Sequence, residues 1–158
     1  MPNPIRYMER TRLYYEAQGF ERAYQWAHYD DIPFTHPGKP LNESRVAILT
    51  TAISDEDVET PMVGRTAHSY PLSQVPANFF TGDLSWDKET THTDDRGAYF
   101  PLEPLERLVE EGRIGALAPR YHFVPTEYSQ RHTLEQDAPQ VRDACLEDEV
   151  DIAILVPL

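Results

Sequence analysis

The sequence is poor in the residues that most often announce a chemistry. It has one cysteine, Cys145, which excludes a disulfide framework and any structural zinc site built on thiolates. Positive charge is scarce: 14 Lys and Arg stand against 27 Asp and Glu, a net charge of −13, and only Lys39 and Lys88 are lysines. Such a chain lacks the basic face that a phosphate backbone or an anionic bilayer requires, so neither nucleic acid nor membrane is an expected partner. With seven glycines there is no Gly-rich phosphate loop and no Gly-x-Ser-x-Gly elbow, and the histidines show no His-x-x-x-His pairing for a metal. No run approaches the roughly 18–20 apolar residues of a membrane helix. The stretch Met1–Arg6 carries no apolar signal core, so a cytoplasmic protein is expected.

What is present suits one folded domain. Hydrophobic residues make up 40% and aromatics 11% of the 158 residues, enough for a modest core. Residues 6–29 read as a helix with an aromatic stripe (Met8, Tyr15, Trp26 with Leu13, Phe20, Tyr24), with Gly19 as its candidate break. Residues 31–44 hold three prolines and a glycine and read as a linker. The expected organisation is an N-terminal helix and Pro-rich linker over 1–44, packing on an α/β domain over 45–158.

Within that domain Arg45–Thr51 is an apolar, β-branched run of the kind buried on both faces of a parallel sheet. A long polar region, 53–99, holds a short strand at 67–71. Leu102, Leu105, Leu108 and Val109 line one face of a helix over 101–112, with Gly112 as its C-cap. A strand over 120–124 follows. A helix over 133–147 then comes with Thr133 as N-cap and Leu134, Ala138, Val141, Ala144 and Cys145 facing inward. The last strand is Ile152–Val156. Strand, helix, strand, helix, strand predicts an α/β fold, a mainly parallel sheet with helices on both faces. The architecture expected is three-layered and Rossmann- or flavodoxin-like, and incomplete at the C-terminus. Ligands of such sheets bind beyond the carboxyl ends of the strands, here at Thr50-Thr51-Ala52, Phe123-Val124-Pro125 and Val156-Pro157-Leu158.

The densest polar cluster is Thr90–Arg96. There His92 with Asp94 and Asp95 reads as a base held by a carboxylate, as an O/N metal triad, or as a solvated loop rich in capping residues. Arg120 and His122 share one strand face, with Tyr121 on the other. An Arg beside a His would bind a substrate carboxylate or serve packing alone. Thr51 stands at a carboxyl end. Cys145, on an inward helix face and followed by Glu147, Asp148 and Glu149, reads as a buried structural thiol. No metal site is expected.

Four segments carry a resemblance: Tyr7–Tyr14, Lys39–Thr51, Phe100–Pro119 and Val150–Pro157. The most specific is the Phe-Pro-Leu helix followed by Ile114-Gly-Ala-Leu-Ala-Pro119. In order and spacing they resemble, over essentially the whole chain, the N-terminal half of the selenoprotein B family of glycine, sarcosine, betaine and D-proline reductases. They are most similar to relatives of the D-proline reductase selenocysteine subunit. The resemblance implies a reductase that cleaves a carbon–nitrogen bond of an amino acid or related amine, working with a protein partner or as a homo-oligomer. Its nucleophile is a selenocysteine or cysteine placed directly after the strand matching 150–157, with a Cys-His pair soon after. In the D-proline enzyme a partner subunit supplies a pyruvoyl group. The resemblance also matches His92, Asp94 and Asp95 to the family's histidine–aspartate loop. It places Arg120-Tyr121-His122 where the family usually has Arg-His-Tyr. No cofactor is expected in this chain, and Cys145 does not match the nucleophile. The expected nucleophile would come just after Leu158. The readings are therefore a chain stopped at a selenocysteine codon, a subunit completed by a partner chain, or a non-catalytic binding or regulatory α/β domain.

Overall fold

A computed structural model describes residues 6–20, 28–32, 34–54, 66–82, 88–126 and 129–158. The chain divides into two compact units, Met1–Phe34 and Thr35–Leu158. In the first, α1 (Tyr7–Ala17) is held along its surface by Arg12, which pairs with Glu9 and Glu16 at 2.9 Å each. Gly19, at φ 85°, follows the helix end, and none of the helix residues is buried. Residues 18–20 and 28–29 of the expected 6–29 helix are not helical, since the chain turns at Gly19, and 21–27 lie outside the described residues.

The second unit is α/β with a mostly parallel sheet. Its centre is β1 (Arg45–Thr50). On one side of β1 run β5 (Ala116–Leu117) and then β6 (Arg120–Phe123), both parallel to it. Along the other side lies β7 (Ile152–Val156), parallel, with Val46 opposite Ile152 and Thr50 opposite Val156. The short strand expected at 67–71 is β3 (His68–Pro71); it pairs with β6 antiparallel, Ser69 opposite His122. A separate two-stranded pair, β2 (Ile53–Ser54) with β4 (Phe79–Phe80), lies within the region read from sequence as a long polar loop.

The core follows from the alternation of the strands. On one face Val46, Ile48 and Tyr121 pack with Phe79, Tyr99 and Phe100 and with Leu102 and Leu105 of α2 (Leu102–Glu110). The rings of Phe100 and Tyr121 meet edge-on at 5.0 Å. Each such buried ring contributes about 1.5–3 kcal/mol relative to exposure. Leu108 and Val109 join the cluster from its margin, as the helix pattern predicts. Gly112 ends α2 at φ 68°, the left-handed conformation of a C-terminal cap. Gly115 is required for a different reason: a Cβ there would lie 2.7 Å from the carbonyl carbon of Glu43, because β5 is pressed onto the entry to β1.

The last helical run differs from expectation in three places. It starts at α3 (Gln130–His132), not at Thr133, and Ser129 is the cap, its Oγ accepting the His132 N–H at 3.2 Å. Thr133–Asp137 is π-helical and leads without a break into α4 (Ala138–Glu147). The widened turn changes which side chains face in. Leu134 and Ala138, expected inward, are exposed, and Asp137 is buried. No helix among the described residues is long and apolar enough to cross a membrane.

Candidate functional site

The carboxyl ends of β1, β6 and β7 lie side by side. The Val124 N–H, just past β6, donates to the Thr50 carbonyl. Past β1, the Thr51 hydroxyl oxygen accepts the Leu158 N–H at 2.8 Å and reaches the Leu158 carbonyl at 3.5 Å. A threonine side chain thus ties the end of one strand to the residues leaving its neighbour. Thr50, fully buried, donates to the Tyr99 carbonyl at 3.1 Å and accepts the Ala52 N–H. That bond fixes the region before α2 beside the same edge.

The polar loop hangs from this anchor. The Tyr99 hydroxyl donates to the Thr93 carbonyl at 3.3 Å, and the Thr93 and Thr81 hydroxyls are 2.7 Å apart. Thr93 therefore turns toward the protein while its neighbours turn out. His92 Nδ1 stands 3.6 Å from an Asp94 carboxylate oxygen, with side chains 72% and 91% exposed, so water screens the pair. Asp95 accepts the Gly97 N–H at 3.0 Å and so caps the short turn Arg96–Ala98, whose Arg96 pairs with Glu103 of α2. Of the three, Asp95 has a defined structural duty, and His92 and Asp94 face solvent near the carboxyl edge.

Arg120 lies elsewhere. It begins β6, at the amino end of the strand, and its guanidinium is occupied. It donates to Asp148 at 2.8 and 2.9 Å, to Glu147 at 2.7 Å and to the Ala144 carbonyl at 3.2 Å, all at the end of α4. These bonds hold its pKa above the ordinary arginine value. A substrate carboxylate would have to displace two carboxylates already in place.

His122 sits in the middle of β6, fully buried, on the face opposite Tyr121. Its Nδ1 is 2.9 Å from Ser69 Oγ on β3, and its Nε2 is 3.6 Å from Cys145 Sγ on α4. Burial, and then Arg120, push its pKa below the ordinary histidine value, against a smaller opposing pull from Asp148. Burial, with Asp148, pushes the Cys145 thiol up. Ser69, His122 and Cys145 therefore form a line of neutral groups along one face of the sheet, from β3 across β6 to α4. Sequence reasoning placed each on its element but not together, since the β3–β6 register carries no local signal.

A second feature it missed is the hold on Ala67, at the entry to β3. Asp137 Oδ1 accepts the Ala67 N–H at 2.9 Å, and the Gln140 amide donates to the Ala67 carbonyl at 2.7 Å. The other Asp137 oxygen is buried without a hydrogen bond, 3.6 Å from His132 Nδ1. Beside α4 a groove of about 470 Å³ runs along β7, lined by Val141, Cys145 and Leu146 from the helix and by Leu49, Ala153 and Leu155 from the sheet. No group of acidic, histidine or cysteine side chains among the described residues is arranged to hold a metal ion. Compared with protein-family models, with curated proteins and with solved structures, the chain matches none.

Proposed function

We propose that this chain is the N-terminal part, or a subunit, of a selenoprotein-B-type reductase that cleaves the carbon–nitrogen bond of an amino acid or related amine. The observation that carries the reading is the meeting of Thr51 with Leu158 at the shared carboxyl edge of β1 and β7. A nucleophile following Leu158 would emerge beside Thr51, where open parallel sheets bind their ligands. A selenolate or thiolate supplied there attacks the carbon that bears nitrogen, and the amine leaves with the bonding pair. The architecture in this reading is a three-layer, Rossmann- or flavodoxin-like domain of the cytoplasm.

This chain's own residues bind and orient. Thr51 sets the direction in which the chain leaves β7. His92 and Asp94, exposed on the loop hung from Tyr99, offer hydrogen bonds to a polar substrate from above the edge. Arg120 and His122 serve the scaffold, the one closing the end of α4 and the other joining β3 to α4. A non-catalytic binding domain is the second reading. It is favoured by the internal engagement of both Arg120 and His122, which leaves no buried base facing the carboxyl edge among the described candidates.

The coding sequence beyond codon 158 and co-purification separate the two. For a chain cut at a selenocysteine codon the reductase reading expects an in-frame UGA followed within a few codons by Cys-His, and for a subunit it expects a second chain that co-purifies and carries the nucleophile; an ordinary stop together with no co-purifying chain overturns it. The purified chain alone is expected to cleave no carbon–nitrogen bond of glycine, betaine or D-proline under a dithiol. Combined with the residues beyond Leu158, it is expected to do so, and the His92→Ala variant is expected to lower that reconstituted rate.

A further inference from the structure

The strand β7 has the composition of an interior strand and, among the described residues, the position of an edge. Ile152–Val156 is uncharged and apolar on both faces, as in strands buried between layers. Ile152 and Ile154 join the core on the face covered by α2. On the other face, beside the α4 groove, Leu155 is 55% exposed and Ala153 is exposed. Among the described residues β7 pairs with β1 alone. It has none of the devices that blunt an open edge: no lysine, no proline, no inward charge between 152 and 156.

The backbone states what the free edge offers. The Asp151 N–H donates to the Arg45 carbonyl, so residues 151, 153 and 155 direct their backbone groups toward β1. Ile152, Ile154 and Val156 therefore direct theirs outward, one N–H and one C=O each. This set is self-complementary. Pairing β7 with a second β7, antiparallel about a twofold axis at Ile154, sets Ile154 against Ile154 and Ile152 against Val156. Every outward group is then used. The same register sets Leu155 opposite Ala153 on the groove face, large against small, on both sides of the axis.

Charge favours this seam over other contacts between two copies. Subunits of net charge −13 repel, and association is least opposed where the surface is neutral. The acids nearest the strand are compensated within the subunit: Asp151 by Lys39, Glu149 by Arg45, Glu147 and Asp148 by Arg120. We propose that β7 is the interface of a twofold homodimer, in which two copies of this chain join their sheets edge to edge across Ile154. The dimer buries Leu155, Ala153 and the mouth of the α4 groove. It does not rest on the reductase reading, which is decided by residues beyond Leu158 and by carbon–nitrogen cleavage.

The test is the mass of the 158-residue chain by light scattering across a concentration series, together with register-specific crosslinking. The wild type is expected to approach twice its 18.2 kDa as concentration rises. Leu155→Glu is expected to weaken association at least about tenfold, the loss of a central contact, without changing the circular dichroism of the monomer. In a Cys145→Ala background, Ala153→Cys and Leu155→Cys chains are expected to form a disulfide when mixed and oxidised, and neither to do so alone. A folded wild-type monomer at every concentration overturns the proposal; so does a dimer unaffected by Leu155→Glu, or equal crosslinking of the single variants. A strand from a different protein on this edge would give the first of these results.

Discussion

His122 Nε2 and Cys145 Sγ lie 3.6 Å apart, joining the middle of a central strand to the helix that covers it. Both groups are held uncharged by burial, one from below its usual titration range and the other from above. The pair therefore has the partners of a catalytic cysteine dyad without the ionised thiol that makes one reactive.

Cys145 should accordingly react slowly. With a chromogenic disulfide reagent at pH 8, its rate is expected to be at least about tenfold below that of a free thiol, and to reach the free value in denaturant. A native rate equal to the free one would show that the thiolate is favoured and that His122 acts on it.

His122 gives stability a pH dependence with a definite sign. Its folded pKa lies below the ordinary value of 6.5, so the unfolded chain takes up this proton first on acidification. The stability tied to its neutrality is complete above 6.5 and is lost as pH falls from there toward the folded value. Urea midpoints measured between pH 8 and 5 should decline through this window. The decline should be shallower in His122→Gln.

Arg120 should be worth more to Asp148 than to Glu147. The Asp148 side chain is 9% exposed and that of Glu147 73%. Asp148→Ala should cost about 1–3 kcal/mol, the range for a charged hydrogen bond in a sheltered site. Glu147→Ala should cost under about 1 kcal/mol, as exposed pairs do. Double-mutant cycles with Arg120→Ala, read from urea midpoints, give the two couplings directly.

Asp137→Ala should release β3. It removes the acceptor for the Ala67 N–H and should cost about 1–3 kcal/mol. Asp137→Asn keeps an acceptor and should cost less. Hydrogen exchange at the Ala67 amide should speed up in the alanine variant before that of the central strand β1 does. Equal protection in both variants would remove the claim that Asp137 holds this edge.

The alternation of apolar strands and amphipathic helices was enough to read β1, α2, β6 and β7, because each encodes its burial in its own spacing. Gly112 was readable as a cap for the same local reason. The antiparallel sense of β3 was not, since a four-residue polar strand carries no orientation signal and its direction is set by its pairing with β6. The outward turn of Leu134 and the burial of Asp137 were hidden by the π-helical segment, whose register shifts without any marker in the residues. At the site, the carboxyl edge and its threonine followed from topology. The position of Arg120 did not, because its partners Asp148 and Glu147 lie far along the chain and only the packing of α4 brings them to the amino end of β6.

The π-helical segment makes the length of this helix a fixed quantity. An α-helix turns about 100° per residue, and a wider turn holds one residue more in nearly the same arc. Loss of a single residue between Thr133 and Asp137 would restore the ordinary pitch and swing His132 and its cap Ser129 about a quarter-turn away from Asp137. Substitutions here alter one contact at a time, whereas a deletion re-phases every contact ahead of it. Natural variation in this stretch should therefore change its letters far more readily than its number of residues.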